Sequence, residues 1–400
     1  MKKIISLNGQ DKSGKTTQLQ LIYQCNKLVH IGRRITTFEP WPKLNGLDLF
    51  NWWFRDGKTE DVISTIYSAL SLRNQELYTA DCPIVIVNRG DIMFDAVCAA
   101  TTTVREQCSI TEAEEFVKKI KARFKFKVNA DENIFYKIGE DVSETMEHYK
   151  KRKGSSEFPQ DADELYIRYQ AILAAIFKEQ LKKSVYSRVI DAKEPVNKVF
   201  DETQKTIIGA LKKELDLTNI EIVIGLGGLS ESGKSRIGNY LKDRWNFNRI
   251  KIKELISEID NRYNRYVLTL PQGIYSIGHE LTTILFAESL SKRTEITWQR
   301  RIIIESLHNY SFTNQLKRLM GNKFMIIYVD TPLEIRIQRN AEALGSTETS
   351  EKEIARKDFK KLNRGAYKVK DIADKILDNS GKFEETCSTI DSYLKDDENL

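Results

Sequence analysis

Residues 8–17 read NGQDKSGKTT, and residues 227–236 read GGLSESGKSR. Both contain the pattern G-x-x-x-x-G-K-[ST], once from Gly9 to Thr16 and again from Gly228 to Ser235. The pattern takes its meaning from what flanks it. KKIISLNG is a short apolar run ending in the first loop, and KTTQLQLIYQCNKL after it carries Leu19, Ile22 and Leu28 in a helical pattern. NIEIVIGLGG and KSRIGNYLKDRWNF repeat the arrangement, with Ile237, Tyr240 and Leu241 on one side of the second helix. Strand, glycine loop and helix in that order predict a cradle for phosphate, written twice.

Each half continues as alternating strands and helices. In the first, RRITTFEP (33–40), CPIVIVNRG (82–90), ENIFYKIG (132–139) and SRVIDA (187–192) read as strands. In the second the strands are NRIKIKE (248–254), RRIIIESL (300–307), KFMIIYVD (323–330) and ADKILDNSG (373–381). Charged helical stretches lie between them. This predicts a doubly wound α/β fold in two tandem domains, 1–215 and 219–398, each a parallel sheet flanked by helices. The boundary falls near Leu215 to Asn219, where the basic helix TQKTIIGALKKEL ends.

Composition agrees with two soluble domains. The chain has 400 residues, with 63 basic and 57 acidic side chains and a net charge of +6. That mild excess suits anionic small molecules and does not argue for nucleic acid. Cys25, Cys82, Cys98, Cys108 and Cys387 are scattered, as are His30, His148, His279 and His308, so neither a zinc site nor a catalytic triad is expected. The cysteine usage reads as reduced thiols in a cytoplasmic protein. No apolar window is long enough to span a membrane, and Ile4 to Leu7 is too short for a signal peptide core.

A helix N-terminus carries unpaired N–H groups and a positive partial charge, and a glycine-rich loop lets those groups curl around a phosphate. Lys15 and Lys234 would reach the β- and γ-phosphates of ATP, and Thr16 and Ser235 would hold Mg²⁺ through their hydroxyls. Gly9, Ser13, Gly14 and Thr17 complete the first cofactor loop; Gly228, Ser232, Gly233 and Arg236 complete the second. The pattern specifies a nucleoside triphosphate, not the reaction. No N-K-x-D guanine-reading motif is present.

GQDKSGKTTQ followed by TTFEP resembles thymidylate kinase, as do SLRNQE (71–76), VIVNRGDIMFDA (85–96), ENIFYKIGEDVSETMEHYKKRK, DADELYIRYQAI and VIDAKEPVNKV. The likeness covers about residues 1–215. It implies that Asp11 accepts a hydrogen bond from the acceptor's sugar hydroxyl. Glu39 would sit beside the acceptor phosphate and Mg²⁺, and Arg73 and Arg89 would grip that phosphate. Phe38 and Trp41 would border the base. Lys12 would place a cation on the transferring phosphoryl group, and a basic lid patch, Lys150 to Lys153, would sit nearby. Two departures stand out. The family's Asp-Arg is Asn88-Arg89 here, so Asn88 would orient a water on Mg²⁺ without adding charge. GDIMFDAVCAATTT also lacks the family's usual Tyr and Ser spacing, which leaves base specificity open.

GLGGLSESGKS, KFMIIYVDTPLEIRIQRN, EKEIARKDF and ADKILDNSG resemble the dephospho-CoA kinase and adenylate-kinase-like group, over about residues 219–398. Arg336 and Arg339 look like a lid entrance there, Arg356 and Asp358 like the lid arginine motif, and Asn379-Ser380-Gly381 like the loop beside adenine. Glu305 ends an apolar strand where such enzymes place the Mg²⁺-side acid. His308 stands where relatives carry arginine. Glu231 holds the place of Lys12, and a carboxylate there would not stabilise the transferring phosphoryl.

Together the two resemblances imply tandem P-loop NTPase domains of the nucleoside monophosphate kinase type. The expected activity is ATP- and Mg²⁺-dependent phosphorylation of a pyrimidine deoxynucleoside monophosphate such as dTMP, with a second kinase-like domain of unknown acceptor. Two alternatives stay open: a kinase for a modified or antibiotic-like nucleotide, and one domain acting as a nucleotide sensor. Nucleotides are the expected partners, and the first resemblance raises a homodimer through that half.

Overall fold

The computed structural model describes residues 2–25, 28–124, 130–153, 159–262 and 279–395. The chain divides into two units, Met1–Leu211 and Lys212–Leu400.

The first unit holds strands β1 (Lys3–Asn8), β2 (Val29–Ile31), β3 (Ile84–Asn88), β4 (Glu132–Lys137) and β5 (Arg188–Asp191). Its helices are α1 (Lys15–Cys25), α2 (Gly46–Phe54), α3 (Thr59–Thr79), α4 (Asp91–Glu106), α5 (Ile110–Lys121), α6 (Val142–Lys153), α7 (Gln160–Lys182) and α8 (Val196–Lys212). The second unit holds β6 (Ile222–Gly227), β7 (Asn248–Lys251), β8 (Arg301–Leu307), β9 (Phe324–Asp330) and β10 (Lys375–Asp378). Its helices are α9 (Lys234–Trp245), α10 (Ile252–Arg262), α11 (His279–Thr297), α12 (Tyr310–Met320), α13 (Leu333–Leu344), α14 (Thr347–Leu362), α15 (Ala366–Asp371) and α16 (Phe383–Lys395).

Each unit is built on one five-stranded sheet, ordered β2-β3-β1-β4-β5 in the first and β7-β8-β6-β9-β10 in the second. Every recorded pairing is parallel. The two orders are the same, so the α/β grammar read from the sequence is one topology used twice. β6 is buried along its whole length and β1 along all but its first residue, because helices cover both faces of a parallel sheet. The strand after which the chain order reverses is β1 in one sheet and β6 in the other. Ligands of open α/β sheets bind at the carboxyl ends of such strands, and both glycine loops leave from there.

Two expected strands differ. RRITTFEP is not a strand: β2 precedes it as Val29–Ile31, and Gly32 N–H makes a last bond to Ile86 O (2.9 Å). Beyond it Ile35–Thr37 forms a short 3-10 turn, Arg33, Arg34, Thr36 and Thr37 are exposed, and the Thr37 hydroxyl donates to Arg34 O (2.8 Å). Its β-branched residues have no neighbouring strand to pair with. NRIKIKE is a strand only to Lys251; Leu255, Ile256 and Ile259 then bury one face of helix α10.

Candidate functional site

The two loops share a backbone. Gly9 and Gly228 have φ of 133° and 132°, Gly14 and Gly233 have 88° and 94°, and the non-glycine residues Lys12 and Glu231 have 64° and 57°. The first glycine of each loop is required by space as well as by φ. A Cβ on Gly9 would stand 2.5 Å from Tyr136 O, and one on Gly228 would stand 2.6 Å from Val329 O. Each of those carbonyls belongs to the strand beside the loop, β4 or β9.

Both motif lysines fold over their own loops. Lys15 Nζ donates to Gly9 O (2.8 Å), Gln10 O (2.8 Å) and Ser13 Oγ (3.2 Å). Lys234 Nζ donates to Leu229 O and to Ser232 Oγ (2.9 Å). Burial disfavours both charges. It holds Lys15 at about 7 against the pull of Asp11. Lys234 is likewise held at about 7, by burial and by the neighbouring charge of Lys361. Ser13 and Ser232 are buried in the loops, while Thr16, Thr17, Ser235 and Arg236 open the following helices with exposed side chains. The Arg236 guanidinium lies over the Phe383 ring at 3.9 Å.

The two residues expected on the metal side occupy matching positions. Asn88 lies opposite Leu7 on β1, and Glu305 opposite Leu226 on β6. A left-handed residue follows each, Arg89 at φ 68° and Ser306 at 71°. Glu305 does not end its strand, which runs on to Leu307. Its buried carboxylate accepts from both Nε and Nη2 of Arg249 and lies 3.5 Å from Ser235 Oγ. Asn88 Oδ1 is buried without a hydrogen-bond partner. An unpartnered oxygen beside one loop and a carboxylate beside the hydroxyl of the other are donor sets that fit Mg²⁺, which takes few protein ligands and keeps its waters. Among the described residues no cluster of three or more His, Cys, Asp or Glu could hold a metal.

In the first unit the loop opens onto a cleft of about 240 Å³. At its polar end Asp11 Oδ1 accepts from Arg89 Nη2 (2.7 Å), and Oδ2 accepts from Tyr166 Oη (2.7 Å) and Gln170 Nε2 (3.1 Å). Burial pushes the Asp11 carboxyl up, but the Arg89 and Lys15 charges and the Tyr166 hydroxyl outweigh it and hold the group at about 2. The walls are aromatic: Phe50, Trp53 and Phe54 from α2 face Tyr166 and Tyr169 from α7. Trp41 packs behind them, 5.6 Å from both Trp52 and Trp53, and does not line the cleft.

Other expected acceptor residues lie elsewhere. Arg73 is buried at 1% exposure, donates to Arg89 O (2.8 Å) and sits 3.5 Å from Asp91. Burial lowers its pKa to about 10 despite Asp91. It holds the left-handed Arg89 in place from behind. Phe38 is buried under the Arg33 guanidinium (4.4 Å) and is absent from the cleft lining, and Glu39 is exposed. Lys12 is exposed on the loop. Of the basic patch, Lys150 and Lys151 are exposed and Lys151 pairs with Glu147 (2.6 Å), while the side chains of Arg152 and Lys153 lie outside the described residues.

In the second unit the loop is clamped by elements far along the chain. Thr331 Oγ1 (3.1 Å) and Asn379 Nδ2 (2.8 Å) both donate to Ser232 O. Arg339 Nη2 donates to Asn379 O (2.8 Å), which places the Asn-Ser-Gly stretch against the loop. Arg336 donates to Thr331 O and Ser230 O (3.1 Å each) and to Asp358, whose other oxygen accepts Ser230 N–H (2.9 Å). Arg356 is exposed on α14; residues of that helix that contact the loop include Asp358 and Lys357, the latter 3.5 Å from Glu231. His308 Nε2 meets Arg364 Nη1 at 3.1 Å, and burial with the Lys361, Arg364 and Lys234 charges pushes the imidazole down to about 4.

No protein-family model matches the chain. A UPF0200 protein of Saccharolobus islandicus is 26% identical over 168 residues, which take in 41% of this chain and 87% of that protein. A UPF0200 protein of Saccharolobus solfataricus is 26% identical over 171 residues, with the same coverage of 41% and 87%. Among similar solved structures, deoxyadenosine kinase from M. mycoides covers 51% of this chain and 98% of its own, at 16% identity and TM-score 0.38. Thymidylate kinase from Candida albicans covers 52% and 91%, at 15% identity and TM-score 0.36. Shikimate kinase from Bacteroides thetaiotaomicron covers 44% and 98%, at 16% identity and TM-score 0.29.

Sequence reasoning missed the cleft walls. The signal was present: Tyr166, Tyr169 and Leu173 recur three to four positions apart on α7, and GLDLFNWWF is a short helix dense in aromatic residues. It also missed Gln10 and Gln170, which are buried and joined at 2.6 Å behind Asp11. No described helix is long and apolar enough to cross a membrane.

Proposed function

We propose that the chain is an ATP-dependent nucleotide kinase whose first unit phosphorylates a pyrimidine deoxynucleoside monophosphate such as dTMP, and whose second unit is a kinase-like centre with its own nucleotide loop. The observation that carries this reading is the continuity in the first unit between the glycine loop and the aromatic cleft, through the Asp11–Arg89 pair. The aromatic walls of the cleft suit a flat base, Asp11 is an ionised acceptor for a sugar hydroxyl, and Arg89 is a cation for the acceptor's phosphate.

In this reading Lys15 leaves its own loop oxygens for the β- and γ-phosphates of ATP, and the loop N–H groups cradle them. Mg²⁺, when bound, neutralises charge between these phosphates; Thr16 with Asn88, and Ser235 with Glu305, are the residues that would hold it. Asp11 and Arg89 orient the acceptor, and the aromatic walls exclude water from it. Lys12 meets the charge that develops on the transferring group.

The test is the purified chain with ATP–Mg²⁺ and a panel of nucleoside monophosphates, read as ADP release. Lys15→Ala should lower phosphorylation of the pyrimidine acceptor by on the order of a thousandfold. Unchanged turnover in that variant, or no turnover of any monophosphate by the native chain, overturns the reading.

A further inference from the structure

At the fourth position of the second loop a carboxylate, Glu231, stands where the first loop has Lys12. α14 brings cations to that place. Ile354 is fully buried and Asp358 is 7% exposed, while Arg356 and Phe359 face outward. The inward stripe of this helix therefore runs Ile354, Asp358, Lys361, at helical spacing. Asp358 binds the loop N–H of Ser230 (2.9 Å), and Lys357 lies 3.5 Å from Glu231 and 3.0 Å from Glu353. Lys361 is three positions beyond Asp358 and four beyond Lys357, so it is their neighbour on the loop side of the helix.

Lys361 differs from Lys357 in having no carboxylate within ion-pair distance of its ammonium among the described residues. Lys357 is paired with two carboxylates, whereas the Lys361 ammonium makes no hydrogen bond or ion pair among the described residues. It is half-buried, and burial lowers its pKa although Asp358 and Glu231 lie near. A half-buried ammonium without a partner is costly to keep and marks a place for an anion. Lys234, the phosphate-binding lysine of this loop, lies within its field.

We infer that Lys361 binds the γ-phosphate of ATP in the second unit, so that the cation carried by the loop in the first unit is carried by helix α14 in the second. This rests on reading the second loop as an ATP site. It assigns to Lys361 a role that the sequence had suggested for Arg356.

The test is calorimetric and needs no acceptor. The full chain carrying Lys15→Ala, which silences the first loop, is titrated with Mg²⁺ and either ADP or a non-hydrolysable ATP analogue. Lys361→Met should weaken the ATP analogue about tenfold or more and leave ADP within about twofold, since only the triphosphate has the group that Lys361 touches. Lys361→Arg should keep the preference for triphosphate, and Glu231→Lys should restore it in the Lys361→Met chain. Equal affinities for the two nucleotides before and after Lys361→Met, or equal weakening of both, overturn the assignment. Absence of binding by either nucleotide to the parent chain overturns the ATP-site reading itself, and the assignment with it.

Discussion

Asp11→Asn tests the polar end of the cleft with almost no change of shape. The carboxylate accepts from Arg89, Tyr166 and Gln170, and its pKa falls from an ordinary 3.8 to about 2 in the folded chain. A carboxyl depressed on folding contributes stability in its charged form. That contribution is complete above the unfolded-state value, near pH 4, and is lost as pH falls toward 2. The gap between the two values corresponds to about 2 kcal/mol. The asparagine cannot ionise and leaves the half-buried Arg89 guanidinium without its counter-charge. Urea unfolding followed by tryptophan fluorescence suits this unit, because Trp41, Trp52 and Trp53 pack together beside the cleft. At pH 7 the native chain should exceed the variant by about 2 kcal/mol, and the difference should close as pH approaches 2. A difference that stays constant across that range would refute the electrostatic account and leave only a shape effect. The variant should also raise the acceptor's KM more than that of ATP.

Lys12→Glu should lower kcat of the first unit far more than it weakens ATP, because charge builds on the transferring group during transfer; a rise in KM alone would reduce Lys12 to a binding residue. Lys15 and Lys234 both sit near pKa 7 over their own loops, and phosphates should restore their charge. Nucleotide binding should therefore take up close to one proton per loop at about pH 8.5 and almost none at about pH 5.5, measured by calorimetry in buffers of different ionisation enthalpy. Arg336→Ala leaves the 7%-exposed Asp358 without its buried partner, and should cost the second unit about 3 kcal/mol of unfolding free energy while leaving unfolding of the first unit in place.

The central strands and their loops were legible because they are local: an apolar run, a glycine loop and a helical pattern lie within about twenty-five consecutive residues. The positions of Asn88 and Glu305 beside the central strands were legible for the same reason, as polar residues at or near the ends of apolar strands. What lay beyond reach depends on contacts across the chain. Arg73 reads as a surface helix arginine until α3 is placed against Arg89 and Asp91. Arg356 and Asp358 are two residues apart, and only the packing of α14 shows that the aspartate faces the loop. The 33–40 segment has strand-like residues but no partner strand, and the shorter Val29–Ile31 pairs with β3 in its place.

The clamp on the second loop gives the two centres different conditions for readiness. In the first unit the loop cation belongs to the loop, so it is in position whenever the loop is folded. In the second, Asp358, Lys357 and Lys361 arrive together on one helix whose hold on the loop runs through Ser230 and Arg336. Undocking α14 would remove the Asp358 contacts to Ser230 and Arg336 together with the helix's lysines in a single movement. On the assignment proposed above, the first centre is armed by folding alone, whereas the second has a safety catch, released by the seating of one helix.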